Sequence, residues 1–223
     1  NVACGFHAGD KETMSQVIQI SKVNGVSIGA HPSFNDPENF GRKRINLSSS
    51  EIRKLIIDQY NILQNIASNH GELVSHIKPH GALNNMACED SELAKTLAKT
   101  IKEISQDLIY LVPTGSKMEE EAKKLNMKIA CEIFADRNYE DDGNLVSRKK
   151  STALITDPVK AQKHVLAPQL DLLLKQYFFF LKQGFHHLHN FYLQKFHKQP
   201  SSPIFLQTTP FLNLLELNKL NLC

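Results

Sequence analysis

At 223 residues, 41% of them hydrophobic, the chain is long enough to bury a core and reads most simply as one domain. Its formal net charge of only +3, with no basic run interleaved by aromatics, argues against nucleic acid as a partner. No apolar run approaches the ~20 residues of a membrane-spanning helix, and the four cysteines (Cys4, Cys88, Cys131, Cys223) form neither a CxxC pair nor a zinc pattern, which fits reduced thiols in a cytoplasmic protein.

The first ten residues, NVACGFHAGD, place His7 and Asp10 in a glycine-bracketed turn directly after an apolar stretch. Helical spacing of Met14, Val17, Ile18 and Val23 follows, with Asp10 as N-cap and Asn24-Gly25 as the stop. The run Val26–Ala30 then ends at His31-Pro32. Ser48-Ser-Ser-Glu51 reads as a capping box for a longer helix whose Ile52, Leu55, Ile56, Ile62, Leu63 and Ile66 form one stripe before Gly71. The apolar run from Leu73 ends in Lys78-Pro-His80-Gly. A helix through Leu93, Leu97, Ile101 and Ile104 comes next, then a strand over Leu108–Val112 and a helix through Met118, Ala122 and Leu125. A last strand runs from Lys128 to Phe134 and ends in Ala135-Asp136-Arg137. The order βαβαβαβαβ implies parallel strands with right-handed helical crossovers, and parallel α/β folds bind ligands at the carboxyl ends of their strands. Each His or Asp-Arg ending falls at that edge.

Composition changes abruptly near Ala167-Pro168. From Leu170 onward there are five Lys and two acids, so this tail carries the whole net charge, and it also holds eight of the twelve Phe. Such a break in residue bias is what a shifted reading frame produces, so residues 168–223 are expected to add no strand to the fold.

Five blocks, NVACGFHAGD, GVSIGAHPSFND, FGRKR, HIKPHGALNN and EIFADRNYEDDGNLVSR, resemble in order and separation the LamB/YcsF family. The resemblance covers residues 1–167 and implies a distorted seven-stranded (β/α) barrel of the glycoside hydrolase/deacetylase type. It also implies an activity: ATP-dependent opening of 5-oxo-L-proline to L-glutamate, with ATP as co-substrate and separate B and C subunits as partners. The chain departs from the family pattern in starting after an acidic first strand, in carrying Asn84 where Tyr is usual, and in lacking a closing VHGD-like strand. It is therefore expected to be incomplete at both ends. A metal-dependent hydrolase on a related barrel and a non-catalytic remnant are the alternatives.

Such a reaction needs a general base and cations facing phosphate and developing oxyanion charge. Asp10 and Asp136 are candidate bases, or else an N-cap and a salt-bridged loop carboxylate. Arg42, Lys43, Arg44, Lys78, Arg137 and Arg148 are candidates to bind the substrate carboxylate or a phosphate, with Lys78 and Arg137 placed directly at strand ends. His7, His31 and His80 are read either as acid–base groups or as a set holding a divalent metal. His70, before a helix-stop glycine, and His76, within a strand, are read as structural. The glycines of GFHAGD lack the spacing of known phosphate loops.

Overall fold

A computed structural model describes residues 1–141 and 143–165 of the chain. Five strands, β1 (Val2–Ala3), β2 (Ile28–His31), β3 (Val74–Ile77), β4 (Ile109–Pro113) and β5 (Ile129–Glu132), pair in parallel in the order β1-β2-β3-β4-β5. Helices α1 (Lys11–Val23), α2 (Ser49–Asn69), α3 (Gly81–Glu89), α4 (Ser91–Ile104) and α5 (Lys117–Lys124) fill the crossovers. This is the α/β architecture expected for part of a (β/α) barrel, with five strands among the described residues. The reading of residues 168–223 as a tail that adds no strand lies outside them. Among the described residues, no helix is long and apolar enough to cross a membrane.

Local chemistry sets the helix boundaries. Asp10 accepts a hydrogen bond from Thr13 N at 2.7 Å, and Met14 and Ile18 bury the inner face of α1 before Gly25 turns the chain at φ +64°. At α2 both halves of the capping box form, with Ser48 N donating to Glu51 Oε2 at 2.7 Å. Ile52, Ile56, Leu63 and Ala67 of α2 pack with Leu97, Ala98 and Ile101 of α4 into one core over the sheet.

The structure adds a helix to the sequence reading. Between β3 and β4 the crossover contains α3 as well as α4, joined at Asp90, which ends the first and caps the second through bonds from Glu92 N and Leu93 N. The last strand is also shorter than expected, ending at Glu132.

Two contacts fix the segments that carry the site. Gln59 of α2 is fully buried; its Oε1 accepts from Ser33 N at 3.0 Å, and its Nε2 donates to Ser33 O at 2.8 Å. The chain leaving β2 is thereby tied to α2. Gln59→Leu is expected to destabilise the protein by about 2 kcal/mol, because it strands two backbone groups in the core. Urea unfolding measures this, and an unchanged midpoint would contradict it. The second contact involves the bulge between Ile28 and Gly29 of β2: an atom at the Cβ position of Gly29 would lie 2.0 Å from Nε2 of His76 on β3. The His76 imidazole occupies the space that a side chain at position 29 would take.

Candidate functional site

In register, Ala3 lies beside His31 and Pro113 beside Glu132, so the strand ends form one edge. The loops leaving that edge enclose a cavity of about 720 Å³ lined by His31, Arg42, Lys78, His80, Arg137 and Arg148 among others.

The three strand-end histidines meet there. His80 Nδ1 lies 3.0 Å from His31 Nε2. His31 Nδ1 lies 2.6 Å from the carbonyl oxygen of Lys78, and His80 Nε2 lies 3.0 Å from that of Phe40. Phe40 presents this carbonyl from a left-handed conformation at φ 55°, braced by bonds from its own N to Pro37 O and from Gly41 N to Asp36 O. His7 is buried behind the pair, its ring stacked on His80 at 4.1 Å between centroids and 12° from parallel. Burial pushes His31 down to about 3 and His7 down to about 4; His80 is lowered as well, by burial and then by Arg42 and Lys78, against a raising bond to Phe40 O.

The stacking bears on the metal reading. Nearly parallel rings 4.1 Å apart have lone-pair planes that do not meet at a common ion, so His7 and His80 as arranged do not fit one metal. Among the described residues, no group of three or more His, Cys, Asp or Glu side chains forms a metal-holding set.

Lys78 is buried and pairs with Glu132 Oε2 at 2.6 Å, each side chain only 11% exposed, with the Phe134 ring 5.2 Å from the ammonium. Glu132 escapes sequence reasoning; its one signal is a carboxylate at the end of an otherwise apolar strand. Glu132 Oε1 and the Oδ1 of buried, cavity-lining Asn84 have no hydrogen-bond partner among the described residues.

Arg137 is buried and donates from Nε to Ala153 O at 3.2 Å and from an Nη to Val146 O at 2.7 Å. It thus holds the wall segment that carries Arg148. Arg44 pairs with Glu89. Arg42 packs over the Phe40 ring, and neither Arg42 nor Arg148 has a carboxylate partner among the described residues. Arg137 has its proton affinity lowered by burial and then by Arg148, with Asp136 and Tyr139 acting in the opposite direction and Arg42 adding a smaller lowering.

The two aspartates stand apart. Asp10 is exposed and caps α1, and Asp136 is exposed; neither lines the cavity. Among the described residues the cysteines are not primed as nucleophiles, since burial raises Cys4 to about 11, Cys88 to about 12 and Cys131 to about 11. His70 caps the end of α2, with its Nε2 2.7 Å from Ser15 Oγ.

Depressed histidines carry a stability signature. His7, His31 and His76 are held neutral by burial, at about 4, 3 and 4 against an ordinary value of 6.5. The unfolded chain therefore binds protons first as pH falls. Stability is expected to be independent of these groups above about pH 6.5 and to drop as pH falls from there toward 4. Denaturant midpoints at pH 7.5, 6 and 5 check this, and a midpoint that rises on acidification would contradict it.

Comparison with known proteins follows the same lines. A LamB/YcsF family profile matches residues 1–171. The chain is 44% identical over 167 residues to a 5-oxoprolinase A subunit from Rhodopseudomonas palustris (strain BisA53), covering 74% of this chain and 66% of that protein. It is 46% identical over 158 residues to a 5-oxoprolinase A subunit from Nitrobacter hamburgensis, covering 70% and 62%. A crystal structure of a lactam utilization protein from Thermus thermophilus superposes with a TM-score of 0.68 at 36% identity, covering 73% of this chain and 66% of that one. The chain thus spans just under two thirds of the length of the curated relatives it matches.

Proposed function

The chain belongs to the LamB/YcsF family, and from that membership together with the site geometry we propose that it is the barrel part of an A subunit of ATP-dependent 5-oxoprolinase, opening 5-oxo-L-proline to L-glutamate with B and C subunits. The observation that carries the reading is a concave edge where Arg42 and Arg148, without carboxylate partners among the described residues, face the same cavity as a histidine pair and a buried lysine.

A five-membered lactam is an unactivated amide, so its opening needs the carbonyl oxygen activated, a deprotonated water to attack the carbonyl carbon, and a proton delivered to the ring nitrogen as the C–N bond breaks. Phosphorylation by ATP supplies the first, and the acyl phosphate left by ring opening is then hydrolysed to glutamate and phosphate. The arginines suit the substrate carboxylate and a transferred phosphate, since a guanidinium fork meets either anion with two parallel bonds. The His31–His80 pair, which lines the cavity, suits donation of a proton to the ring nitrogen as the C–N bond breaks. Lys78, oriented by Glu132, supplies positive charge toward a developing oxyanion.

Glutamate release from 5-oxoproline by this chain combined with B and C subunits, with and without ATP, tests the reading. Release only with ATP is expected. Equal release in both conditions would overturn the proposal, as would none in either while the corresponding subunit of a full-length relative is active with the same partners.

A further inference from the structure

We propose that His31 and His80 act as one proton-holding unit that takes up a single proton when an anion enters the cavity and releases it when the anion leaves. The warrant is a proton count along one chain of contacts. Both ends are backbone carbonyls, Lys78 O at 2.6 Å from His31 Nδ1 and Phe40 O at 3.0 Å from His80 Nε2, and a carbonyl only accepts. Each outer ring nitrogen must therefore carry a proton. In a neutral imidazole the other nitrogen is then bare, yet His31 Nε2 and His80 Nδ1 face each other at 3.0 Å. Three contacts require three protons, and two neutral imidazoles carry two. The third proton completes the chain and gives the pair one positive charge.

The surroundings decide when that proton is held. From the segment just after β3, Lys78 faces the pair; from the loop after β2, Arg42 faces His80; both oppose added positive charge. From the loop after β1, His7 stacks on His80 and is itself held neutral by burial. The carboxylates nearby are committed elsewhere: Glu132 of β5 to Lys78, cavity-lining Glu89 to Arg44, and Asp36 to Asn39 Nδ2 and Lys43 N. No described carboxylate compensates the pair, so an anion from solution has to. An anion beside Arg42, Lys78 and Arg148 offsets the charge that excludes the proton. By linkage the proton in turn tightens the anion. The inference holds for any anion the cavity accepts and does not depend on the lactam reading.

The test uses the whole chain with 15N-labelled histidine, in EDTA, titrated from pH 8 to 5 with and without saturating sodium sulfate, whose charge is constant over that range. In sulfate, imidazole 15N shifts are expected to show the two rings gaining one proton between them above pH 5, whereas without sulfate both rings are expected to stay neutral to pH 5. His80→Gln is expected to leave His31 neutral down to pH 5 with or without sulfate. Two rings that stay neutral to pH 5 in sulfate, that take one proton each, or that show no response because sulfate does not bind would each overturn the proposal. The wild-type titration decides alone if the variant fails to fold. Failure to release glutamate in a reconstituted complex would not alter this result.

Discussion

Glu132→Leu is expected to lower the unfolding free energy by about 3–5 kcal/mol, the usual consequence of stranding one charge of a buried pair. Lys78 Nζ sits 2.6 Å from Glu132 Oε2, with both side chains 11% exposed, so little water reaches the ammonium once its partner is gone. The Phe134 ring 5.2 Å away offers a cation–π contact worth only about 1 kcal/mol. Removing both charges together, as Lys78→Met with Glu132→Leu, is expected to recover most of the loss, because a buried ion pair and an apolar pair of similar size differ little in stability. Urea unfolding of the two single variants and the double variant gives the coupling directly. Single variants within about 0.5 kcal/mol of the wild type would mean that solvent reaches the pair freely.

Arg148→Met is expected to reduce kcat/KM for 5-oxoproline in the reconstituted complex by about 10–100-fold, equivalent to roughly 1.4–2.7 kcal/mol of lost transition-state binding. Its guanidinium lines the cavity and has no carboxylate partner among the described residues, so its loss removes an anion contact without freeing an internal acid. Arg148→Lys is expected to recover only part of the rate, because a point charge does not reproduce two parallel bonds to a carboxylate or phosphate. The contrast with Arg137 is instructive. Arg137 holds Ala153 O and Val146 O, so its replacement is expected to loosen the wall and lower stability as well as rate. Kinetics of Arg148→Met indistinguishable from wild type would remove the arginine from the site.

The sequence makes the scaffold legible where the local chemistry is self-contained. Asp10, the Ser48–Glu51 box and the Asn24-Gly25 stop each act within one turn of chain, and the helices begin and end beside them. Helix α3 is not legible for the converse reason. It is nine residues long, its N-cap His80 makes no side-chain capping bond, and its buried face is largely small: Ala82, Leu83, Asn84 and Ala87. The site divides in the same way. Histidines at strand ends are visible as a pattern, because parallel strands in register bring their ends together. The pairing of Lys78 with Glu132, 54 residues apart, is a matter of tertiary geometry that neither segment announces. The same holds for Arg137, whose strand-end position says nothing of the two carbonyls that engage it.

The fit of His76 into the space above Gly29 links the histories of two positions far apart in the chain. Enlarging residue 29 first sets a side chain against a half-buried ring, whereas shrinking residue 76 first leaves only a void that a later substitution at 29 can fill. Of the two orders in which this pair can be exchanged, one passes through a crowded intermediate and the other through an underpacked one. Substitutions here are thus permitted in sequence rather than independently, and residue 76 has to move first.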